Sequence, residues 1–71
     1  MRSMEIAVCG DHITLGQLLK VTGVVDSGAD VKRYLETTAV SVNSEAENRR
    51  GRKLRPGDVV SAGTDAEVRL T

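Results

Sequence analysis

The sequence predicts an α+β domain in which two packed helices lie against a small antiparallel sheet. Three observations carry that class. Apolar residues recur at helical spacing behind two capping signatures, first from Thr14 and again from Ser27; at Ala39 the apolar period shortens to two; and beyond Arg55 two turn signals separate alternating segments. A chain of 71 residues is near the lower size at which a core forms without a disulfide, a metal or a partner. One domain, residues 1–71, is therefore expected.

Met4-Glu5-Ile6-Ala7-Val8-Cys9-Gly10 alternates the larger Ile6 and Val8 with smaller or polar residues and reads as a first strand, with Cys9 as a small buried hydrophobe within it. Thr14 caps the first helix, and Gln17, three residues on, reaches back to close a capping box. Ile13 and Leu18 are spaced as a hydrophobic staple; Leu15, Leu18, Leu19 and Thr22 follow at helical spacing, and Gly23 supplies a left-handed stop. Ser27 with Asp30 repeats the capping signature for a second helix. Its stripe is Val31, Tyr34 and Leu35, which places Tyr34 in the core and leaves Lys32 and Arg33 off centre. Only Val24, Val25 and Asp26 join the helices, so they pack as a tight pair.

From Ala39 to Asn43 the chain becomes a strand, with Val40 and Val42 facing in and Ser41 and Asn43 facing out. Arg55-Pro56-Gly57-Asp58 puts proline and glycine at the centre of a type II turn, which delivers Val59-Val60-Ser61-Ala62 as another strand. Gly63-Thr64-Asp65 then returns the chain into Ala66-Glu67-Val68-Arg69-Leu70 as a closing hairpin. The expected order is one strand, two helices, then about three antiparallel strands.

The formal net charge is zero, ten Lys and Arg against ten Asp and Glu, but the distribution is uneven. Five cations, Arg49, Arg50, Arg52, Lys53 and Arg55, crowd around Gly51, while Glu45 and Glu47 precede them. Such a run repels itself, and a polyanion relieves the repulsion. Gly51, lacking a side chain, lets the backbone take positive φ and approach a phosphate closely, and guanidinium forks suit phosphate oxygens. The amino end of the second helix, with Ser27 and Gly28, offers unpaired N–H groups for another phosphate. Lys32 and Arg33 extend the same surface if the fold sets that helix beside the loop. The alternative is a solvated loop and a solvated helix face on which Lys32 and Glu36 pair four residues apart.

Cys9 and His12 are the only residues of their kinds, so neither an intramolecular disulfide nor a zinc site can form, and a reducing cytoplasm fits. No metal and no cofactor is expected. His12 reads as an exposed turn residue beside Asp11, no glycine-rich phosphate loop of the Walker or dinucleotide type occurs, and catalysis is not expected. No recognisable signal peptide or membrane-length apolar run is present. Tyr34 is the sole aromatic residue, so the chain cannot build a platform for stacking unpaired bases, and RNA would be gripped by phosphates and folded shape.

The path Ser27-Gly28, Lys32-Arg33, Val40-Ser41-Val42-Asn43, Arg49-Arg50-Gly51-Arg52-Lys53-Leu54, Gly57-Asp58-Val59-Val60 resembles the small RNA-binding domain named after ribosomal small-subunit protein S-four. Within that superfamily it looks most like the stand-alone bacterial YaaA-like proteins, with the resemblance running over about residues 13–60. The resemblance implies an αL-type RNA-binding fold and an RNA surface made by the second helix and the following loop. It would hold Ser27, Gly28, Lys32, Arg33, Asn43, Arg49, Arg50, Arg52 and Lys53. Similar domains also occur attached to pseudouridine synthases and tyrosyl-tRNA synthetases, where catalysis belongs to a separate domain. Thr38 and Ser44 stand where the family often has glycine, so the resemblance does not fix the geometry of the turns there.

The expected function is non-catalytic binding of structured RNA, ribosomal or transfer RNA, by a cytoplasmic monomer, with the ribosomal particle as a larger setting. A competing reading is a protein-interaction or ribosome-assembly module whose basic loop meets an acidic partner. Duplex DNA suits the same electrostatics, but no helix presents the Asn, Gln and Arg set that reads a major groove.

Overall fold

Residues 2–71 are described by a computed structural model, in which two helices pack on one face of a mixed sheet. The elements are β1 (Arg2–Ile6), β2 (Ile13–Thr14), α1 (Leu15–Val21), α2 (Gly28–Thr37), β3 (Val40–Val42), β4 (Glu45–Ala46), β5 (Lys53–Leu54), β6 (Val59–Ala62) and β7 (Ala66–Leu70). The main sheet runs β1-β7-β6-β3-β4, and β2 pairs with β5 in a separate two-stranded ribbon.

Local chemistry explains α1. Gln17 N–H donates to Thr14 Oγ1 (3.2 Å) and Thr14 N–H donates to Gln17 Oε1 (3.0 Å), which completes the expected capping box. At the other end Val24 N–H reaches Leu19 O and Gly23 N–H reaches Lys20 O, with Gly23 at φ +80°. That is a Schellman motif, and the positive φ explains the glycine. Ser27 occupies the N-cap position of α2, but its side chain caps nothing: Ser27 Oγ donates to Asp30 Oδ2 at 3.3 Å instead.

The apolar stripes of the helices, Leu15, Leu18 and Leu19 with Val31 and Leu35, meet Val40, Val42, Val60, Val68 and Leu70 from the sheet and Leu54 from the ribbon. Each such side chain contributes about 1.5–3 kcal/mol on burial. Tyr34 packs half-buried against this core and donates from its hydroxyl to Asp65 Oδ2 (2.7 Å) and Ala62 O (3.2 Å). Burial first, and then the Asp65 carboxylate, push its pKa up.

The sheet has more strands than the sequence suggested, and it is not wholly antiparallel. The first strand ends at Ile6 instead of continuing to Gly10, and it runs parallel to β7, from Arg2↔Ala66 to Ile6↔Leu70. Direction follows from the β6–β7 hairpin that presents the pairing edge, a relation between distant segments that the alternation of Met4 to Gly10 does not encode. Cys9 consequently lies beyond the strand and is exposed, not buried. The Asn43-Ser44 turn joins β3 to β4 with both residues left-handed, φ +52° and +70°. Two consecutive positive φ values between paired strands define a type I′ hairpin, with serine holding a conformation that glycine would take without strain. The closing hairpin and the turn at Arg55–Asp58 form as expected: β6 pairs antiparallel with β7, and Asp58 N–H donates to Arg55 O.

Candidate nucleic-acid interface

The basic run is a loop between β4 and β5 whose backbone is fastened to the start of α1. Leu15 N–H donates to Arg52 O and Gly16 N–H donates to Arg50 O, both at 2.9 Å. These amides belong to the first turn of a helix, where no intrahelical acceptor exists. Together with the capping box, they leave the amino end of α1 fully engaged by the protein itself. Gly16 permits the approach: a Cβ there would stand 3.3 Å from Arg50 O and 3.4 Å from Val31 Cγ1. The ribbon pair Thr14↔Lys53 holds the loop's far end against the same helix.

Inside the loop one carboxylate organises two of the arginines. Glu47 is 8% exposed. Its Oε2 accepts Arg49 Nε (3.1 Å) and its Oε1 accepts Arg49 Nη2 (3.2 Å) and Arg52 Nη1 (2.8 Å). The backbone N–H groups of Asn48 and Arg49 complete its shell at 3.1 Å. The Arg49 and then the Arg52 hydrogen bonds hold the Glu47 pKa down to about 2 against the opposing effect of burial, and the Glu47 bond raises that of Arg49. Arg49 remains 73% exposed and Arg52 34% exposed, so each guanidinium keeps an outward edge.

Gly51 departs from the sequence expectation, since it is absent from the residues with positive φ. The close approach that a missing Cβ allows occurs at Gly16 instead, where the loop's own backbone is the neighbour.

Two open clefts connect this loop with α2, and a third lies within the loop. One of about 580 Å³ has Lys32, Leu35 and Glu36 on the helix side and Asn48 and Arg50 on the loop side. Another of about 300 Å³ brings Gly28 and Val31 to Gln17 and Lys20 of α1 and to Arg50 and Gly51. The third, about 500 Å³, lies within the loop among Arg49, Gly51, Arg52 and Lys53. Arg50 lines both of the first two. Its backbone is pinned to α1 while the residue stays exposed.

The sequence-predicted residues thus divide. Gly28, Lys32, Arg49, Arg50, Arg52 and Lys53 line clefts that share Arg50 or Gly51 at their borders; Ser27 sits at the open end of α2, and Arg33 is an exposed helix residue outside them. Lys32 forms no ion pair among the described residues, so the Lys32–Glu36 pairing is not made. The side chain of Asn43 is engaged in the sheet: its Nδ2 donates to Asp58 Oδ1 and its Oδ1 accepts Val59 N–H, both at 3.0 Å. Asp58 also accepts Arg55 N–H at 2.8 Å, and that bond, with the Asn43 amide, lowers its pKa. The paired motifs around Asn43 and Asp58 are therefore one structural clasp. Lys20 and Gln17 are members of the cleft that sequence reasoning missed; their signal is their i, i+3 spacing on the face of α1 opposite its leucines.

Among the described residues no group of three or more His, Cys, Asp and Glu could hold a metal ion, and no helix is long and apolar enough to cross a membrane. The geometry is that of a fixed cationic surface next to an uncapped helix start. Comparison with known proteins agrees in kind. The profile of the S4 domain family matches residues 6–70. A curated relative from Bacillus subtilis (strain 168), named "Probable ribosome maturation protein RlbA", is 51% identical over 55 residues, covering 78% of each chain.

Proposed function

The chain belongs to the S4 domain family, and from that premise we propose that it is a non-catalytic protein that binds structured RNA, ribosomal or transfer RNA, through phosphate and shape contacts. The relative's name supports ribosome maturation as the setting. We place the interface on Arg50, Lys32 and Lys53, with the outward edges of Arg49 and Arg52 and the free amide end of α2 at Ser27 and Gly28. Lys20 joins them across the smaller cleft. Asn43 contributes by tying the end of β3 to the start of β6, and Arg33 as a peripheral cation. The protein acts as a monomer in the cytoplasm on this reading.

One observation carries it: Arg50 has its carbonyl bonded to the Gly16 N–H while the residue itself is exposed and lines both clefts beside α2. A cation held by its backbone loses less conformational freedom on binding than one on a mobile loop. Because the sheet offers no aromatic platform, recognition rests on the spacing of phosphates in a folded RNA.

Filter binding to unfractionated transfer RNA across a salt series tests the reading. Four or five phosphate contacts predict a slope of about −3 to −5 in log affinity against log salt. A flat response contradicts it, as does capture of an acidic protein that survives nuclease while RNA fails to compete.

A further inference from the structure

Glu47 is the buried charged residue among the described residues, and it lies within the most cationic segment of the chain. Its five bonds to Asn48, Arg49 and Arg52 leave little acceptor capacity for any other group. Burying a carboxylate with its counter-ions is close to neutral for stability, and apolar packing often serves as well. The arrangement does determine geometry. Arg49 presents its Nε and Nη2 edge inward and Arg52 presents Nη1 inward, so the remaining donors of both point away from Glu47.

Resting on the RNA-binding reading above, we propose that Glu47 is a positioning residue that sets specificity: it fixes the outward donors of Arg49 and Arg52 at the spacing of a folded RNA, and its charge lowers the loop's attraction for polyanions in general. These two effects act in opposite directions when the carboxylate is removed. Glu47→Gln keeps the volume, but its amide N–H₂ faces guanidinium donors and one arginine is released. The loop then gains one net charge and loses its fixed fork.

The test compares wild type and E47Q for binding to unfractionated transfer RNA and to a short DNA duplex over the same salt series, with thermal melts confirming that both are folded. E47Q is expected to bind the RNA roughly tenfold more weakly, as for loss of one charge-assisted contact, while duplex affinity holds or rises and its salt slope steepens by about one. Equal changes for both probes, or none for either, overturn the proposal. Should E47Q not fold, the Arg49 Nε–Hε resonance of the wild-type protein decides. Its retention in the RNA complex supports a clamp that stays closed, and its collapse to the free-arginine position means that Glu47 releases Arg49 on binding and overturns the proposal. Wild type that binds RNA without a salt slope sinks the underlying reading and this inference with it; wild type that binds as predicted while E47Q discriminates equally well sinks the inference alone.

Discussion

The amino ends of the two helices receive opposite treatment. At α1 the capping box closes two amides, and the carbonyls of Arg50 and Arg52 take the N–H groups of Gly16 and Leu15. At α2 the Ser27 hydroxyl turns to Asp30, and the amides of Gly28 and Ala29 have no acceptor among the described residues. Unpaired amides at a helix start carry partial positive charge. The contrast teaches how a small domain divides its polar groups: one helix end fastens the basic loop, and the other stays open beside it.

Removing the cations on the open side without touching the fastening is the strongest way to break this division. Arg50→Ala, Lys53→Ala and Lys32→Ala combined are expected to lower affinity for folded RNA roughly 100-fold and to make the salt slope shallower by about three, with the melting temperature little changed. Replacing Arg49 and Arg52 is a poorer test, because it leaves Glu47 buried without its counter-ions and destabilises the fold itself. On the fastened side, Gly16→Val drives methyl groups into the Arg50 backbone and should reduce stability by about 1–3 kcal/mol in urea unfolding. Unchanged stability would mean that the loop does not need its seat on α1.

Acid probes the same fastening. The Glu47 pKa is depressed from 4.5 to about 2, so its contribution is complete above the ordinary carboxylate value and is lost as pH falls from 4.5 toward 2. Asp58, also depressed, loses stability with the same sign. The urea midpoint should therefore fall between about pH 6 and about pH 3, and fall less in E47Q. The smallest effect separates the helix ends directly. Thr14→Ala should cost about 1 kcal/mol through its lost cap, while Ser27→Ala, whose hydroxyl caps nothing, should cost under about 0.5 kcal/mol. Equal losses would erase the distinction.

The elements most legible in the sequence are those built by neighbours in the chain. Thr14 and Gln17 make their box, Gly23 ends its helix, and Pro56-Gly57 turns the chain, because each device closes within a few residues. The β2–β5 ribbon was invisible, since two-residue strands have no period to detect. Charge content located the loop, but not how it is held. Glu47 was visible only as an acid preceding five cations, and spacing does not say whether a carboxylate is solvated or enclosed. Asn43 shows the converse: an outward-facing polar residue followed by a basic loop suggested a ligand contact, whereas the Asp58 clasp links residues 15 positions apart. Lys20 entered the cleft through the packing of α1 on α2, which no single-segment pattern specifies.

Backbone amide NMR during titration of the wild-type protein with folded RNA tests the division of the helix ends most directly. The account predicts that shifts concentrate at Gly28, Ala29, Lys32, Arg50 and Gly51, while the Leu15 and Gly16 amides, bonded to Arg52 and Arg50, keep their positions and their protection from exchange. Shifts centred on β1 or β7, or loss of protection at Leu15 and Gly16 with none at α2, would contradict it.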